Sequence, residues 1–306
     1  MKLYQRIYTA YKKDGLRKIA KGCFDIIFLD CNLPDGTGFS FCVIIFSIKY
    51  WEIVVDFLKD QRLETEMNQY WTERSKSYSE QNRAQIENEK RCEWENMILK
   101  YAPQKERLNI LDVGTGPGFF AIILAQKGHQ VTAVDLTRDM LEQAKENANY
   151  YKVKIEFKLL KNQLLPFPDN TFDLVVSRDV TWMLQDAEEV LKEWYRVTKK
   201  GGKVLYFDAN WYYYLFNEDE KKKHLENQKM VQEKGGFIYN KSKIMENLAK
   251  VLPLSQKFRP DWDKEILPVL GYHNIVTVSN INSIVYTEKE QIQYASKPEF
   301  LVVAEK

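Results

Sequence analysis

Leu111–Phe120 reads LDVGTGPGFF: an apolar run carrying one acid, glycines at 114, 116 and 118, then apolar residues again. The first run predicts a buried strand at about 109–113 and the last a helix at about 119–127, so the glycines occupy a strand-to-helix turn. In an open parallel sheet, ligands bind at the carboxyl ends of the strands, and glycines there let a ligand approach the backbone closely. Asp135 closes the next apolar run, VTAVD, about 20 residues on, where a carboxylate takes both hydroxyls of a ribose. The glycines are spaced GxGxG, and Phe119 stands where the dinucleotide fingerprint needs its third glycine. A nucleoside ligand is expected and a dinucleotide is disfavoured.

From Leu108 onward, β-branched runs alternate with segments of helical period. Strands are expected at about 109–113, 130–135, 153–158, 172–177 and 203–208, with helices at about 119–127, 138–150 and 186–199. Lys199, Lys200, Gly201 and Gly202 read as the end of the last helix. This order predicts an α/β fold: an open, mostly parallel sheet with helices on both faces. Residues 211–270, beginning Trp211, Tyr212, Tyr213, Tyr214, read as a helical cap inserted in the core, which spans 108–306. Strand character returns at Ile275–Val278 and Phe300–Ala304, separated by a short polar stretch that allows antiparallel pairing. Residues 67–107 read as a helical lid region of one or two amphipathic helices, and 1–66 as an N-terminal extension.

Composition narrows the partners. The net charge is +2, from 45 basic and 43 acidic residues, so no long-range field draws the chain onto nucleic acid or an anionic membrane. Lys221, Lys222 and Lys223 read as a solvated face. The most apolar stretch, Phe39–Ile48, falls far short of the roughly 20 residues that span a bilayer. Cys23, Cys31, Cys42 and Cys92 have no zinc-site spacing and no leader precedes them, so a cytoplasmic setting is expected. His224 and His273 lack metal-site spacing, and His129, in the turn before the second strand, is expected to be structural.

LDVGTGPGFFAIILAQKGHQVTAVDLTRDML (111–141), LLPFPDNTFDLVVSRDVTWML (164–184) and EWYRVTKKGGKVLYFDAN (193–210) follow one another in an order that resembles the class I S-adenosylmethionine-dependent methyltransferases, in the small-molecule branch called methyltransferase type 11. The resemblance covers roughly residues 67–306. It implies a seven-stranded sheet with the last strand antiparallel, and S-adenosyl-L-methionine as cofactor. Gly114, Gly116 and Gly118 would then admit the methionine moiety and sugar, Asp112 would hold the loop and the amino group, Asp135 the ribose hydroxyls, and Leu136 would press on the adenine. Ser177 opens the loop that borders the methyl group and substrate in that family. Tyr70, in YWTERSKSY, belongs to the segment resembling its N-terminal helix, which folds across the cofactor. One departure is plain: the family's Asp-Ala pair, four residues before LPF, is Lys161-Asn162 here. A charged lysine accepts no hydrogen bond, so adenine recognition is expected to pass to backbone groups or to Asn162.

The implied reaction is an in-line displacement at a sulfonium methyl, which requires alignment of the nucleophile and removal of its proton. Asp179 is the first candidate for the base, or for orienting a substrate amine, and Asp208 the second. Candidate substrate contacts are Arg178, Thr181, Trp182, Asn210 and Trp211, the tryptophans forming an aromatic wall with the tyrosines after 211. Arg178 and Asp179 can equally well pair with each other or cap the next helix, and aromatic residues in such a pattern are more often core. A small-molecule acceptor is expected. An RNA or protein acceptor, or a cofactor-binding regulatory protein without catalysis, are the alternatives.

FDIIFLDCNLPDGTGFSF (24–41) resembles the phosphoacceptor strand and loop of a response-regulator receiver domain, with Asp30 in the acceptor place. The acidic pair that completes a magnesium site there is missing, so Asp30 is not expected to be phosphorylated. The apolar run FSFCVIIFSI needs cover from the core or from a second subunit, which makes homodimerisation through this arm an expectation.

Overall fold

The computed structural model describes residues 48–236 and 242–306. Contacts divide the chain into two units after Glu64, and the second, Thr65–Lys306, contains the sheet and every described helix except the start of the first. The receiver-like segment with Asp30, and nearly all of the apolar arm behind the homodimer expectation, lie outside the described residues.

Two helices, α1 (Ile48–Glu87) and α2 (Arg91–Tyr101), precede the alternating core: β1 (Asn109–Val113), α3 (Phe119–Gln126), β2 (Gln130–Asp135), α4 (Arg138–Tyr150), β3 (Glu156–Leu159), β4 (Phe172–Arg178), α5 (Ala187–Val197) and β5 (Thr198–Ala209). After β5 come a turn of 3-10 helix at Tyr213–Leu215, α6 (Glu218–Glu233), α7 (Ser242–Ala249), a second turn at Pro253–Gln256 and α8 (Asp261–Val269). The chain ends β6 (His273–Val278), α9 (Asn282–Val285), α10 (Glu288–Gln293), β7 (Glu299–Glu305). The seven strands lie in the order β3-β2-β1-β4-β5-β7-β6. The first five run parallel, and β7 runs against both its neighbours.

Strands covered on both faces read as nearly continuous apolar runs, because both alternating sets of side chains are buried. Ile110, Ala133, Leu174, Val176, Leu205 and Phe207 meet α2 and α3 on one face. Leu111, Val134, Val175, Val204 and Tyr206 meet α5 and, from the region after β5, Leu254 and Leu267 on the other. Trp94 of α2 packs edge-on to Phe119 and Phe207, with ring centroids 5.9 and 5.3 Å away. Burying a large apolar side chain of this kind stabilises the fold by about 1.5–3 kcal/mol.

Three boundaries differ from the sequence reading. β3 begins at Glu156 rather than near 153, because Lys152 takes a left-handed turn (φ 55°) just after α4. Lys199–Gly202 belong to β5, not to a helix end: Gly201 N donates to Lys306 O (2.8 Å) and Lys306 N to Gly202 O (3.0 Å), pairing this segment with the chain terminus. A side chain at 202 would stand 2.8 and 2.9 Å from the carbonyl oxygens of Lys199 and Asp173, so glycine is required where the strand register shifts. The polar stretch between β6 and β7 is longer than a simple connection. It folds into α9 and α10, the latter started by a capping box between Thr287 and Glu290.

Candidate active site

The glycine loop is held open by its two acids. Asp112, only 2% exposed, accepts hydrogen bonds from Thr115 Oγ1 (2.6 Å) and Ala121 N (3.1 Å), tying the end of β1 to the first turn of α3. Burial nonetheless pushes its carboxyl up to about 7. Asp135 accepts from Gly116 N (2.9 Å) and Thr137 N (2.8 Å), and burial raises its carboxyl against those bonds. Gly114 has φ 67°, and a β-carbon there would stand 2.4 Å from Val180 Cγ2. Gly118, at φ 93°, caps α3. A β-carbon at Gly116 would meet only the ring of Tyr78, at 3.5 Å, so α1 passes over the loop at that point.

Buried Asn147 of α4 fixes α1 in this position. Its amide donates to Pro117 O (2.9 Å) and Ser79 Oγ (3.0 Å), and its oxygen accepts from Arg83 Nε (2.5 Å). Leu136 is 43% exposed beside Asp135. Asn162 is exposed, and its side-chain oxygen accepts from Leu164 N (3.0 Å), an asparagine turn that occupies its acceptor locally. The buried hydroxyl of Ser177 donates to Val113 O (2.8 Å), which locks β4 to β1. His129 accepts from Leu108 N through Nδ1 (3.3 Å), closing the turn into β2.

Next to Tyr78 opens a cavity of about 640 Å³. α1 supplies Tyr70, Trp71 and Tyr78 to its wall; the loop after β4 supplies Arg178, Asp179 and Trp182; the segment after β5 supplies Trp211, Tyr212 and Tyr214. Asp179 adopts φ 59°, uncommon for a residue with a side chain, with its N–H on Phe207 O (2.9 Å). Its Oδ2 lies 3.6 Å from Arg178 Nε, while its buried Oδ1 has no hydrogen-bond partner. Burial pushes the Asp179 carboxyl up to about 7; Arg178 opposes this and Asp208 adds to it. Arg178 lies over Phe119, 4.4 Å from the ring centroid, and donates to Gln85 Oε1 of α1 (3.0 Å).

Thr181, Asp208 and Asn210 are drawn together elsewhere and are absent from the cavity wall. Asp208 accepts from Trp182 N (2.8 Å), Ala209 N (2.8 Å), Trp211 Nε1 (3.0 Å), Arg259 Nη1 (3.0 Å) and the Thr181 hydroxyl. Asn210 exchanges two hydrogen bonds with the backbone of Arg259 (2.8 and 3.0 Å), and Arg259 also pairs with Asp263 (2.5 Å). This buried cluster clamps the segment before α8 onto the end of β5.

Sequence reasoning missed the contribution of the stretch between β6 and β7. Tyr286, Tyr294 and Lys297 line the cavity, and buried Glu299 accepts from the Tyr286 hydroxyl while its Oε1 has no partner. Burial, reinforced by the charge of Asp179, raises the Glu299 carboxyl well above the usual range. The only available signal was an acid directly before the apolar run FLVVA. Among the described residues no group of three or more His, Cys, Asp or Glu is placed to hold a metal, and no helix is long and apolar enough to cross a membrane.

The chain is similar to known proteins over part of its length. Residues 111–206 match the family model of the methyltransferase domain. Malonyl-[acyl-carrier protein] O-methyltransferase of Erwinia billingiae is 36% identical over 111 residues, 36% of this chain and 42% of that protein. The ubiquinone/menaquinone biosynthesis C-methyltransferase of Desulfotalea psychrophila is 33% identical over 118 residues, 38% of this chain and 47% of that protein. The chain thus spans less than half the length of these two relatives. A solved structure from Methanococcus maripaludis, assigned as an S-adenosyl-L-methionine-dependent methyltransferase, superposes with TM-score 0.52 at 19% identity, over 77% of this chain and 93% of that one. Residues 111–206 are therefore similar to the methyltransferase domain family, and the chain shares the fold of the Methanococcus maripaludis structure.

Proposed function

We propose that the chain is an S-adenosylmethionine-dependent methyltransferase acting on a small molecule. The observation that carries this reading is the adjacency of two features: a glycine loop closed by Asp135, and a largely aromatic cavity into whose wall Asp179 brings an unpartnered carboxylate oxygen. The residues present fit the cofactor. At Gly116 only Tyr78 stands where a β-carbon would point, Asp135 offers a carboxylate at the ribose position, and exposed Leu136 offers an apolar face beside it.

S-adenosylmethionine, when bound, supplies an electrophilic methyl group on a sulfonium. The chain's own part is to bind, orient and deprotonate. Asp135 would hold the ribose hydroxyls, and Asp112, through Thr115 and Ala121, keeps the loop in shape. Tyr78 and Trp71 exclude water from above, which strengthens every electrostatic contact inside. Asp179 Oδ1 is free to accept a proton from the nucleophile or a hydrogen bond from an amine, and a carboxyl near 7 is matched to proton transfer at neutral pH. Arg178, fixed by Gln85 and the Phe119 ring, steadies that carboxylate. Of the relatives named above, one is named for quinone biosynthesis, which supports a small-molecule acceptor, and their O- and C-methyltransferase names do not choose its atom.

Calorimetric titration tests the reading. S-adenosylmethionine and S-adenosylhomocysteine should bind while a nicotinamide dinucleotide should not, and Asp135→Ala should weaken binding about ten-fold or more, as expected for loss of hydrogen bonds to a charged group. A chain that ignores both sulfur nucleosides is not a methyltransferase of this kind.

A further inference from the structure

Lys297 lies between α10 and β7 in the wall of the cavity. Its ammonium faces three rings, with Trp211, Tyr212 and Tyr214 centroids at 5.7, 5.9 and 5.7 Å. No described carboxylate lies within ion-pairing distance of it. Glu246 is the acid near enough to act on it through space, and one Glu246 oxygen is occupied by the Tyr214 hydroxyl at 3.0 Å. Burial lowers the Lys297 pKa to about 8, which leaves the group mostly charged at neutral pH. Lys297 is half-buried, and a partly desolvated cation without a counter-ion is costly, the ring faces recovering only part of the cost.

Other donors of the lining are unmatched too. His224 stacks on Tyr214, with ring centroids 3.9 Å apart and planes 12° from parallel. Burial and the Lys297 charge lower its pKa to about 4, so it is neutral. Gln228 donates to its Nε2 (3.0 Å), which leaves the proton on Nδ1, and that buried Nδ1 has no acceptor. The indole N–H of Trp71 is likewise buried without an acceptor. The wall therefore combines a cation and two N–H groups that lack acceptors. On the side of Asp179 one acceptor, Asp179 Oδ1, lacks a donor, and one donor, Arg178 Nη1, lacks an acceptor.

We infer that the acceptor molecule carries an anionic group, a carboxylate or a phosphate monoester, received by Lys297, while its nucleophile lies at Asp179. This rests on the reading of the cavity as the acceptor site. Lys297 thereby decides specificity: it offers an uncharged analogue nothing in exchange for its own desolvation.

The test separates this inference from the methyltransferase reading. Wild type, Lys297→Met and Lys297→Arg are titrated with sodium phosphate and with sodium acetate, sodium chloride serving as the ionic-strength control, and tryptophan fluorescence and melting temperature are followed. The same proteins are assayed for S-adenosylhomocysteine release on amines and phenols supplied in pairs, with and without a carboxylate or phosphate. A saturable response to one of the two anions is expected in wild type and Lys297→Arg, weakened about ten-fold or more in Lys297→Met, the size of a lost charge-assisted hydrogen bond. The anion that saturates identifies the group, and turnover should favour acid-bearing acceptors with KM raised in Lys297→Met. No saturable response in wild type, an equal response in Lys297→Met, or equal turnover of uncharged partners would overturn the inference. S-adenosylhomocysteine affinity should be the same in all three proteins; its absence from wild type would sink the methyltransferase reading and leave the anion titration to decide Lys297.

Discussion

Asp179 and Asp208 stand at the ends of neighbouring parallel strands, on the rim where ligands of such sheets bind, and they are built in opposite ways. Asp208 is fully buried and receives hydrogen bonds from Thr181, Trp182, Ala209, Trp211 and Arg259. Asp179 has one oxygen 3.6 Å from Arg178 and the other unpartnered. Desolvation raises both carboxyls, so burial alone does not tell them apart. The supply of donors does. A carboxylate whose lone pairs are taken by the protein holds structure together, whereas one left short of donors beside a cavity is available to a ligand.

Substitution at the two positions should separate activity from stability. Asp179→Asn removes the proton acceptor but keeps the shape, and turnover is expected to fall about 10²–10⁴-fold, the usual worth of general base catalysis. S-adenosylhomocysteine affinity should hold; steady-state kinetics beside calorimetry measure both, and an active variant would demote Asp179 to a structural residue. Asp208→Ala should act on the fold instead, costing about 3–5 kcal/mol because it strips a partner from a buried ion pair. Urea denaturation reads that loss, and an unchanged midpoint would dissolve the contrast.

Gly114→Ala should cost less, about 1–3 kcal/mol, from a left-handed backbone and a β-carbon 2.4 Å from Val180 Cγ2. Because Val180 follows Asp179, activity should fall further than stability if the clash moves the loop, which paired melting and rate measurements would show.

A further effect is a slope with pH. The Asp179 carboxyl lies at about 7 in the fold against an ordinary value of about 3.9, so the native state holds this proton more tightly than the unfolded chain does. Its contribution to stability is fully present below about pH 4 and is lost as pH rises through about 7. Asp179→Asn should therefore gain on wild type in denaturation midpoints across that window, while wild-type turnover climbs as the base ionises. Parallel stability curves for the two proteins would contradict the raised value.

Much of the architecture was legible because periodicity reports burial. The runs at 109–113, 130–135 and 172–177 lie close to the observed strands, since strands buried on both faces leave continuous apolar stretches. The glycine loop was legible for a different reason: Gly114, Gly116 and Gly118 all take positive φ, a conformation that few other residues adopt cheaply. The edge strand β3 was placed less well, because its residues are mostly exposed or half-buried and carry a weaker pattern.

The site divided along the same line. Asp112, Asp135 and the glycines are close in sequence, and local spacing places them together. Arg259 and Asp208, Asn147 and Ser79, or Lys297 and Trp211 are separated by dozens of residues, and nothing in a linear pattern pairs them. The amino-acid sequence by itself determined the alternating core, its glycine loop and the acids at its strand ends, because backbone conformation and burial are written in short-range patterns. Tertiary structure alone decided which of those acids is saturated with donors and which keeps an oxygen without one, and that Lys297 reaches the cavity, because hydrogen-bond supply and desolvation depend on which distant segments the fold brings into contact.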